Sequence, residues 1–228
     1  MPERSTSRFF CYLGGMPPSV RTAIMPQKTV KLADALQTID VDRDAYANCD
    51  ATYIPDAQLI TRWFNLNPAI YILLKDYAAD CVVGYINAMP VTDQLADRII
   101  AGTFDERMIG PGALCSYDRP GLYRLYFCSI ALKNSYRHSR ALSQLARGFA
   151  QRLLLLSKQH VYIRDLLVDA VTPAGARLCE SLGMSLLATT DRRSYVYQMQ
   201  LPPSRDHSTP RFLKELCEVY ASDVAKQQ

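Results

Sequence analysis

Hydrophobic and polar positions follow a regular order in the middle of the chain. Residues 122–132 and 161–171 are rich in β-branched and aromatic side chains, which is typical of buried strands. Between them, residues 141–157 carry apolar side chains at steps of three and four, which predicts a helix with one apolar stripe. Because the connections are short, this order predicts a βαβ unit with parallel strands and a right-handed crossover.

The turn between the first strand and the helix is strongly basic. Residues 133–140 contain Lys133, Arg137, His138 and Arg140 and no carboxylate. The turn leads into a helix N-terminus, where free backbone N–H groups and the positive end of the helix dipole favour an anion. This stretch is therefore either a cradle for phosphate or pyrophosphate, or a solvated basic loop.

Further helices and strands are predicted on both sides of this unit. They are a helix at 56–64, strands at 69–77 and 81–90, a helix at 93–108, a helix from Thr172 to Gly183 and a hairpin at 184–201. The segment 30–36 fits a strand or a helix equally well. In the helix at 93–108, residues 105–107 are interpreted as a solvated end.

The domain boundaries are predicted from the polar, glycine-rich and proline-rich stretches. Residues 1–28 read as an N-terminal arm, and residues 29–201 as one globular domain. Residues 202–228 begin with two prolines and continue as a linker and a last helix. The apolar stripe of that helix must be covered, either by its own domain or by a second copy in a homodimer.

A family resemblance rests on residues 130–145 and 172–184. The first segment resembles motif A of the GNAT superfamily of N-acetyltransferases, a strand followed by Arg/Gln-x-x-Gly-x-Gly/Ala and a helix, with Arg137 at the first motif position. The second, from Thr172 to Met184, resembles the family's Asn-x-x-Ala-x-x-Leu-Tyr-x-x-Leu-Gly-Phe helix. Upstream, residues 81–88 resemble the strand that carries its Val-Gly-Tyr/Phe signature.

The resemblance covers roughly residues 55–201 and implies an α/β (α+β) fold. A GNAT-like mixed central sheet of about six or seven strands would be flanked by helices, with a C-terminal helical extension. The sequence departs from the family pattern at three positions. Arg140 and Leu142 replace the two glycines of motif A, and Cys179 replaces the tyrosine that often acts as the general acid.

The resemblance implies acetyl-CoA as acyl donor, without a metal. Backbone groups on the first strand of the βαβ unit would bind the pantetheine arm and the thioester carbonyl, the basic turn would bind the phosphates, and a residue after the second strand would contact the cofactor. Carried over to this chain, the cofactor-binding positions are Ser129, Ile130, Leu132, Arg137, His138, Ser139, Arg140, Ala141 and Thr172.

Four residues are candidates for proton transfer. Asp169 ends the second strand and is a candidate base, although a solvated strand end or a helix cap explains it as well. Tyr126 and Cys128 precede the point where the two strands separate in the family, and core packing is the alternative for both. Cys179 stands at the acid position, and a thiol donates a proton weakly, but a small core residue is the alternative.

The predicted function is transfer of an acetyl group from acetyl-CoA to an amine, directly within a ternary complex. The acceptor would be a small molecule or a peptide amine. The order of strands and the basic turn favour this hypothesis. The lost glycines and the missing tyrosine favour a non-catalytic GNAT-fold module that binds a ligand or partner. A third hypothesis is an unrelated α/β protein whose basic turn binds another phosphate.

Composition narrows the classes of partner and compartment. The net charge of +4 over 228 residues argues against a nucleic-acid partner. No apolar run approaches the roughly 20 residues of a membrane span, so we expect no membrane partner. Seven cysteines, an odd number without a Cys-x-x-Cys motif, indicate reduced thiols and a cytoplasmic protein. The three histidines form no predicted metal-ligand cluster.

Overall fold

The computed structural model describes residues 20–23, 30–47, 54–137, 139–190, 194–201 and 211–224. The strands are β1 (Val20–Ala23), β2 (Tyr71–Asp76), β3 (Cys81–Val91), β4 (Gly121–Leu132), β5 (Val161–Ala170), β6 (Ser185–Thr189) and β7 (Tyr195–Gln200). The helices are α1 (Leu32–Leu36), α2 (Thr38–Ala45), α3 (Ala57–Leu66), α4 (Asp93–Ile100), α5 (Ala141–Ser157), α6 (Pro173–Ser181) and α7 (Arg211–Val224).

The described strands form one seven-stranded mixed sheet in the order β1-β2-β3-β4-β5-β7-β6. β4 and β5 pair in parallel, and every other neighbouring pair is antiparallel. Helix α5 makes the crossover between the parallel strands, as the hydrophobic pattern predicted. The α/β prediction, with six or seven strands flanked by helices, is confirmed.

Several helix boundaries depend on side-chain caps that are visible in the sequence. The Asp56 carboxylate accepts from the N–H of Leu59 at 2.7 Å and begins α3. Thr172 begins α6, since its hydroxyl accepts from the N–H of Gly175 at 3.0 Å and Pro173 occupies the first turn. The ambiguous segment 30–36 forms α1.

The helix predicted over 93–108 is shorter than expected. α4 ends at Ile100, and Gly102 then adopts a left-handed conformation with φ +68°. A separate 3₁₀ turn follows at Glu106–Met108. Residues 105–107 are therefore not the solvated end of a long helix; they belong to a new turn that carries Glu106 inward.

The parallel strands β4 and β5 separate before β4 ends. Their pairing runs from Gly121 and Val161 to Phe127 and Val168. Beyond that point β4 remains paired with β3 as far as Leu132, while β5 remains paired with β7. A gap therefore opens in the sheet between the last residues of the two strands.

The sheet divides the core into two clusters. On one face, α5 packs its stripe of Leu145, Phe149 and Leu153 against the strands. On the other face, the core contains Trp63 of α3 and Ile99 of α4. The second cluster lies beneath the segment that carries Glu106, so it supports that side of the gap.

The C-terminal helix packs on its own domain. Leu216 and Tyr220 are buried in the α5 cluster. The Tyr220 hydroxyl accepts from the N–H of Ile163 at 3.1 Å, and its ring packs edge-on against Tyr162 at 5.4 Å. This contact covers the apolar stripe of α7, while a homodimer through this helix stays a prediction.

Two further findings concern the predicted boundaries and partners. Within residues 1–28, predicted to be an arm, the four residues of β1 pair with β2 at the edge of the sheet. None of the described helices has the length and apolar character to cross a bilayer.

Candidate active site

Three side chains meet at the mouth of the gap between β4 and β5. Tyr126 and Cys128 extend from β4 and both contact the carboxylate of Glu106. The Tyr126 hydroxyl donates to Oε1 of Glu106, and the Cys128 thiol donates to Oε2 at 3.4 Å. Cys128 lies at a register shift between the Asn87–Ser129 and Ala88–Phe127 pairs of β3 and β4. Side chains two apart on a strand face the same side, so Cys128 faces the Glu106 side together with Tyr126.

The pKa of the Glu106 carboxyl lies near neutral pH. Burial raises its pKa from 4.5 to about 7, although the hydrogen bonds from Tyr126 and Cys128 lower it in part. The negative charge of Asp169 raises the pKa further, which places Asp169 close to the same group. Burial and the Glu106 charge keep the pKa of the Cys128 thiol well above its usual range, so the sulfur is protonated and is not an activated nucleophile.

Asp169 also lines a small pocket beside the gap. The pocket is formed by the end of α4, the segment before Glu106 and the β6–β7 hairpin; its lining includes Ile99, Phe104, Asp169, Thr190 and Val196. The Phe104 ring stands edge-on to Tyr126 with centroids 5.6 Å apart. The cavity, of about 10 Å³, has room for about one water molecule and borders Asp169.

A second chain of polar groups approaches the gap from α2. The Tyr85 hydroxyl donates to both carboxylate oxygens of Asp42, at 2.7 and 2.8 Å. The Tyr46 hydroxyl lies 3.3 Å from Ser129 Oγ and 3.5 Å from the carbonyl oxygen of Ile130. Burial raises the pKa of Asp42 to about 7, and the Glu106 charge adds to this.

The backbone of β4 presents polar groups to the gap. The N–H of Lys133 donates to the carbonyl of Val83 at 2.9 Å, so this pair exchanges hydrogen bonds in the antiparallel ladder. Since the Gly84–Leu132 and Ile86–Ile130 pairs belong to the same register, Ile130 and Leu132 direct their N–H and C=O groups away from β3. Both residues were predicted to bind the pantetheine arm, and both face the gap.

The basic turn differs from the open cradle that its charges suggested. The N–H of Asn134 donates to the Asp44 carboxylate. The N–H groups of Tyr136, Arg137 and Ser139 donate to carbonyls within the turn, at 2.9, 3.2 and 3.1 Å. Most amides of this turn are therefore already bonded inside the protein.

Some side chains of the turn also hydrogen-bond within the protein. Arg137 donates through Nη2 to the carbonyl of Ala45 at 2.8 Å, which ties the turn to α2. The Ser139 hydroxyl accepts from the N–H of Ala141 at 3.1 Å and donates to the carbonyl of Tyr136. Arg140 is exposed and has φ −76°, so its position does not require a glycine. His138 lies outside the described residues.

What remains for an anion is the first turn of α5. The N–H groups of Leu142 and Ser143 have no carbonyl partner within the helix, because the first amides of any α-helix lack one. The exposed Arg140 precedes them directly. A phosphate would therefore bind lower on the helix start than the sequence predicted.

Two predicted site residues lie in structural roles. Thr172, predicted to contact the cofactor, caps α6 with its hydroxyl. Cys179 is buried in the core cluster of α5, and burial raises the pKa of its thiol to about 11. Tyr126 and Cys128 belong to the opposite cluster, so the structure does not bring Cys179 to them.

Sequence reasoning missed Glu106, Asp42 and Tyr46. A signal for Glu106 was present, because it lies at a helical spacing from Leu95 and Ile99 and so falls on the buried stripe of the helix predicted there. A carboxylate on an apolar stripe indicates a buried charge that needs partners. No comparable pattern marks Asp42 or Tyr46.

The strand order, the single parallel pair among the described strands and the gap between its two members define a GNAT-like fold. No protein-family model matches the sequence, and no curated protein matches it.

Several solved structures share part of the chain path, at low sequence identity. An acetyltransferase from Thermus thermophilus is 14% identical, with a TM-score of 0.47 over 80% of this chain and 97% of that chain. Naa50 from Arabidopsis thaliana, in complex with the bisubstrate analogue CoA-Ac-MVNAL, is 13% identical, with a TM-score of 0.46 over 80% and 99%. Ard1 from Thermoplasma volcanium is 15% identical, with a TM-score of 0.45 over 79% and 95%.

Proposed function

We propose that this protein transfers an acetyl group from acetyl-CoA to an amine. The observation that carries the proposal is a half-buried carboxylate, Glu106, held at the gap between parallel strands with its pKa raised to about 7. A general base is most effective when its pKa lies near the working pH. Two of its partners, Tyr126 and Cys128, were predicted as site residues from the sequence, as was nearby Asp169.

Different residues would carry out the separate steps of the proposed reaction. Acetyl-CoA would supply the activated acetyl thioester. Glu106 would take the proton of the attacking amine, and Asp169 would attract the amine as a cation. The N–H groups of Ile130 and Leu132 face the gap, where they would polarise the thioester carbonyl. The acceptor would approach Glu106 from the side of Asp169 and Phe104.

Acetyl-CoA fits the pantetheine end of its proposed site better than the phosphate end. The gap offers the backbone groups of Ile130 and Leu132, which suits the pantetheine arm. At the phosphate end, the amides that have no carbonyl partner within α5 are those of Leu142 and Ser143, next to Arg140 and not within the turn. This favours a phosphate site with fewer available backbone N–H groups than the family pattern provides.

One observation favours a second function. The amides of residues 134–139 that the structure describes are largely bonded within the protein, and the Asp44 carboxylate occupies one of them. A non-catalytic module that has lost pyrophosphate binding would show this arrangement. It would hold a ligand or partner without releasing a thiol.

A measurement of coenzyme A binding is the first test that separates the two candidate functions. We expect coenzyme A and acetyl-CoA to raise the melting temperature, since a ligand at 100 times its dissociation constant adds about 2.7 kcal/mol to folding. Arg140→Ala should weaken this shift, because the guanidinium stands at the proposed phosphate site. Arg147→Ala removes an equal charge from an exposed position further along α5 and should leave it unchanged. Equal shifts in both variants would contradict the assigned phosphate site.

Turnover is measured as thiol release with a panel of primary amines, namely spermidine, tyramine and a lysine-containing peptide. We expect kcat/KM to rise with pH as Glu106 loses its proton near pH 7 and to level off above it. Glu106→Gln should lower kcat by about 10²- to 10⁴-fold and abolish this rise. Coenzyme A binding without thiol release from any of these amines would support the non-catalytic module.

A further inference from the structure

The hydroxyl of Tyr46 reaches the gap itself. It lies 3.3 Å from Ser129 Oγ and 3.5 Å from the carbonyl oxygen of Ile130. The N–H and C=O of one strand residue point to the same side, so the Ile130 carbonyl faces the gap together with its N–H. A hydroxyl in hydrogen-bond range of that carbonyl is therefore in range of a thioester bound along β4.

The Tyr46 hydroxyl has a second hydroxyl beside it, that of Ser129, whose Oγ lies 3.3 Å away. Ser129 belongs to β4, so Tyr46 borders the strand along which the thioester would bind. A separate buried pair joins β3 to α2, where Tyr85 donates to Asp42 at 2.7 Å. Asp42 is only 1% exposed, and Tyr85 is 3% exposed.

The proposed reaction needs a second proton-transfer group. Glu106 takes the proton of the amine, but the departing thiolate also needs a proton. Cys179, at the position where the sequence predicted an acid, lies in the opposite core cluster. Burial raises the pKa of Tyr46, so its hydroxyl carries a proton at neutral pH.

We propose that Tyr46 is the general acid that protonates the leaving thiolate. This inference rests on the proposed acyl transfer. Glu106 first takes one proton from the bound ammonium, and the neutral nitrogen then bonds to the acetyl carbon as the carbon–sulfur bond breaks. The sulfur takes the Tyr46 proton. Glu106 and the new amide nitrogen each release one proton to solvent, and Tyr46 takes one up from it.

The test compares two phenylalanine variants, each with two donors. Tyr46→Phe should lower kcat with acetyl-CoA by about 10²-fold or more at an unchanged KM for that donor. Tyr71→Phe is the matched control, because Tyr71 is a buried tyrosine of the same core cluster whose hydroxyl has no hydrogen-bond partner among the described residues. The second donor is acetyl-seleno-CoA, whose selenolate leaves readily without a proton.

The two donors separate acid catalysis from a structural effect. With acetyl-seleno-CoA, the Tyr46→Phe variant should regain the wild-type kcat, since the leaving group no longer needs a proton. Equal losses with both donors would overturn the assignment. An unchanged kcat with tighter coenzyme A binding would also overturn it and make Tyr46 a side chain that the donor displaces.

If the protein does not transfer an acetyl group at all, the result differs from that expected if only the role of Tyr46 is wrong. Wild-type protein that releases no thiol from acetyl-CoA with the amine panel overturns the acyl transfer and this inference with it. Wild-type turnover that persists in Tyr46→Phe overturns the role of Tyr46 alone. Ser129→Ala provides a second variant, and it should lower kcat less than Tyr46→Phe because Tyr46 still carries one proton.

Discussion

At the scale of single residues, Glu106 makes the folded protein sensitive to alkaline pH. Its pKa is raised from 4.5 to about 7, so the folded state binds this proton more tightly than the unfolded state. Its contribution to stability is fully present below about pH 4.5 and is lost as the pH rises through about 7. The loss amounts to at most about 3 kcal/mol, at about 1.4 kcal/mol per pH unit of pKa shift.

Glu106→Gln should therefore stabilise the protein more at pH 8 than at pH 5. Glutamine keeps an acceptor for Tyr126 and carries no charge at either pH. Urea unfolding at the two pH values measures the difference in free energy. Glu218→Gln, at an exposed position of α7, should give the same free energy difference at both. An equal effect of Glu106→Gln at both pH values would contradict the raised pKa.

The residues of the site were only partly predictable, because the sequence indicates a strand more readily than the partners of its side chains. Tyr126, Cys128 and Asp169 were found from their places near the ends of two predicted strands. Tyr46 and Asp42 lie 83 and 43 residues from the partners they hydrogen-bond, and no local pattern records such a distance.

At the scale of elements, the β3–β4 pair depends on a glycine. Gly84 lies opposite Leu132, and a Cβ at Gly84 would stand 2.3 Å from Cδ2 of Leu132 and 3.0 Å from the carbonyl oxygen of Ala131. The contact with Leu132 is the closer of the two, so this side chain must move to admit a Cβ. The glycine therefore allows β3 to approach β4 closely where β4 borders the gap.

Gly84→Ala should destabilise the protein by about 1–3 kcal/mol, the usual cost of overpacking. A double-mutant cycle with Leu132→Ala isolates the clash. The two substitutions should be non-additive, since removing the leucine side chain makes room for the new methyl group. Additive free energies of unfolding would show that the Ala131 carbonyl, and not Leu132, sets the cost.

The elements were predicted well where their signal is local. The β4–α5–β5 unit and the caps at Asp56 and Thr172 follow from periodicity and from residue types at helix starts. Strand β1 was missed because four residues carry too little pattern, and its conformation depends on pairing with β2. The end of α4 was missed because the apolar spacing continues past Gly102, although the helix does not.

At the scale of the whole molecule, an ion-pair network centred on the buried Asp165 links α4 to three strands. Asp165 of β5 accepts from Arg124 of β4 and from Arg164, both at 2.9 Å, and from Gln198 of β7 at 3.0 Å. Arg124 also donates to Asp97 of α4 at 2.8 Å. The network thereby fixes the helix that leads into the Glu106 turn, so the site depends on a contact far from the gap.

The same network determines how the protein responds to acid. Burial alone would raise the pKa of Asp165, but hydrogen bonds from Arg124, Arg164 and Gln198 outweigh it and lower the pKa below 3.8. A depressed pKa gives stability that is present above the unfolded pKa and is lost as the pH falls through the folded one. Carboxylates such as Asp165 thus limit stability in acid, while Glu106 and Asp42 limit it in alkali.

Asp165→Asn should cost about 1.5–3 kcal/mol at pH 7, because it removes the charge-assisted hydrogen bonds of a buried carboxylate while Arg124 keeps Asp97. It should also flatten the loss of stability below pH 4, since the titrating group is gone. Asp40→Asn breaks an exposed pair with Arg43, whose side chains are 64% and 68% exposed, and should cost less than about 1 kcal/mol. Urea unfolding between pH 3 and pH 8 tests both expectations. If Asp165→Asn cost no more than Asp40→Asn, the network would not be what holds α4, and the position of Glu106 would have to depend on the packing of Leu95 and Ile99 alone.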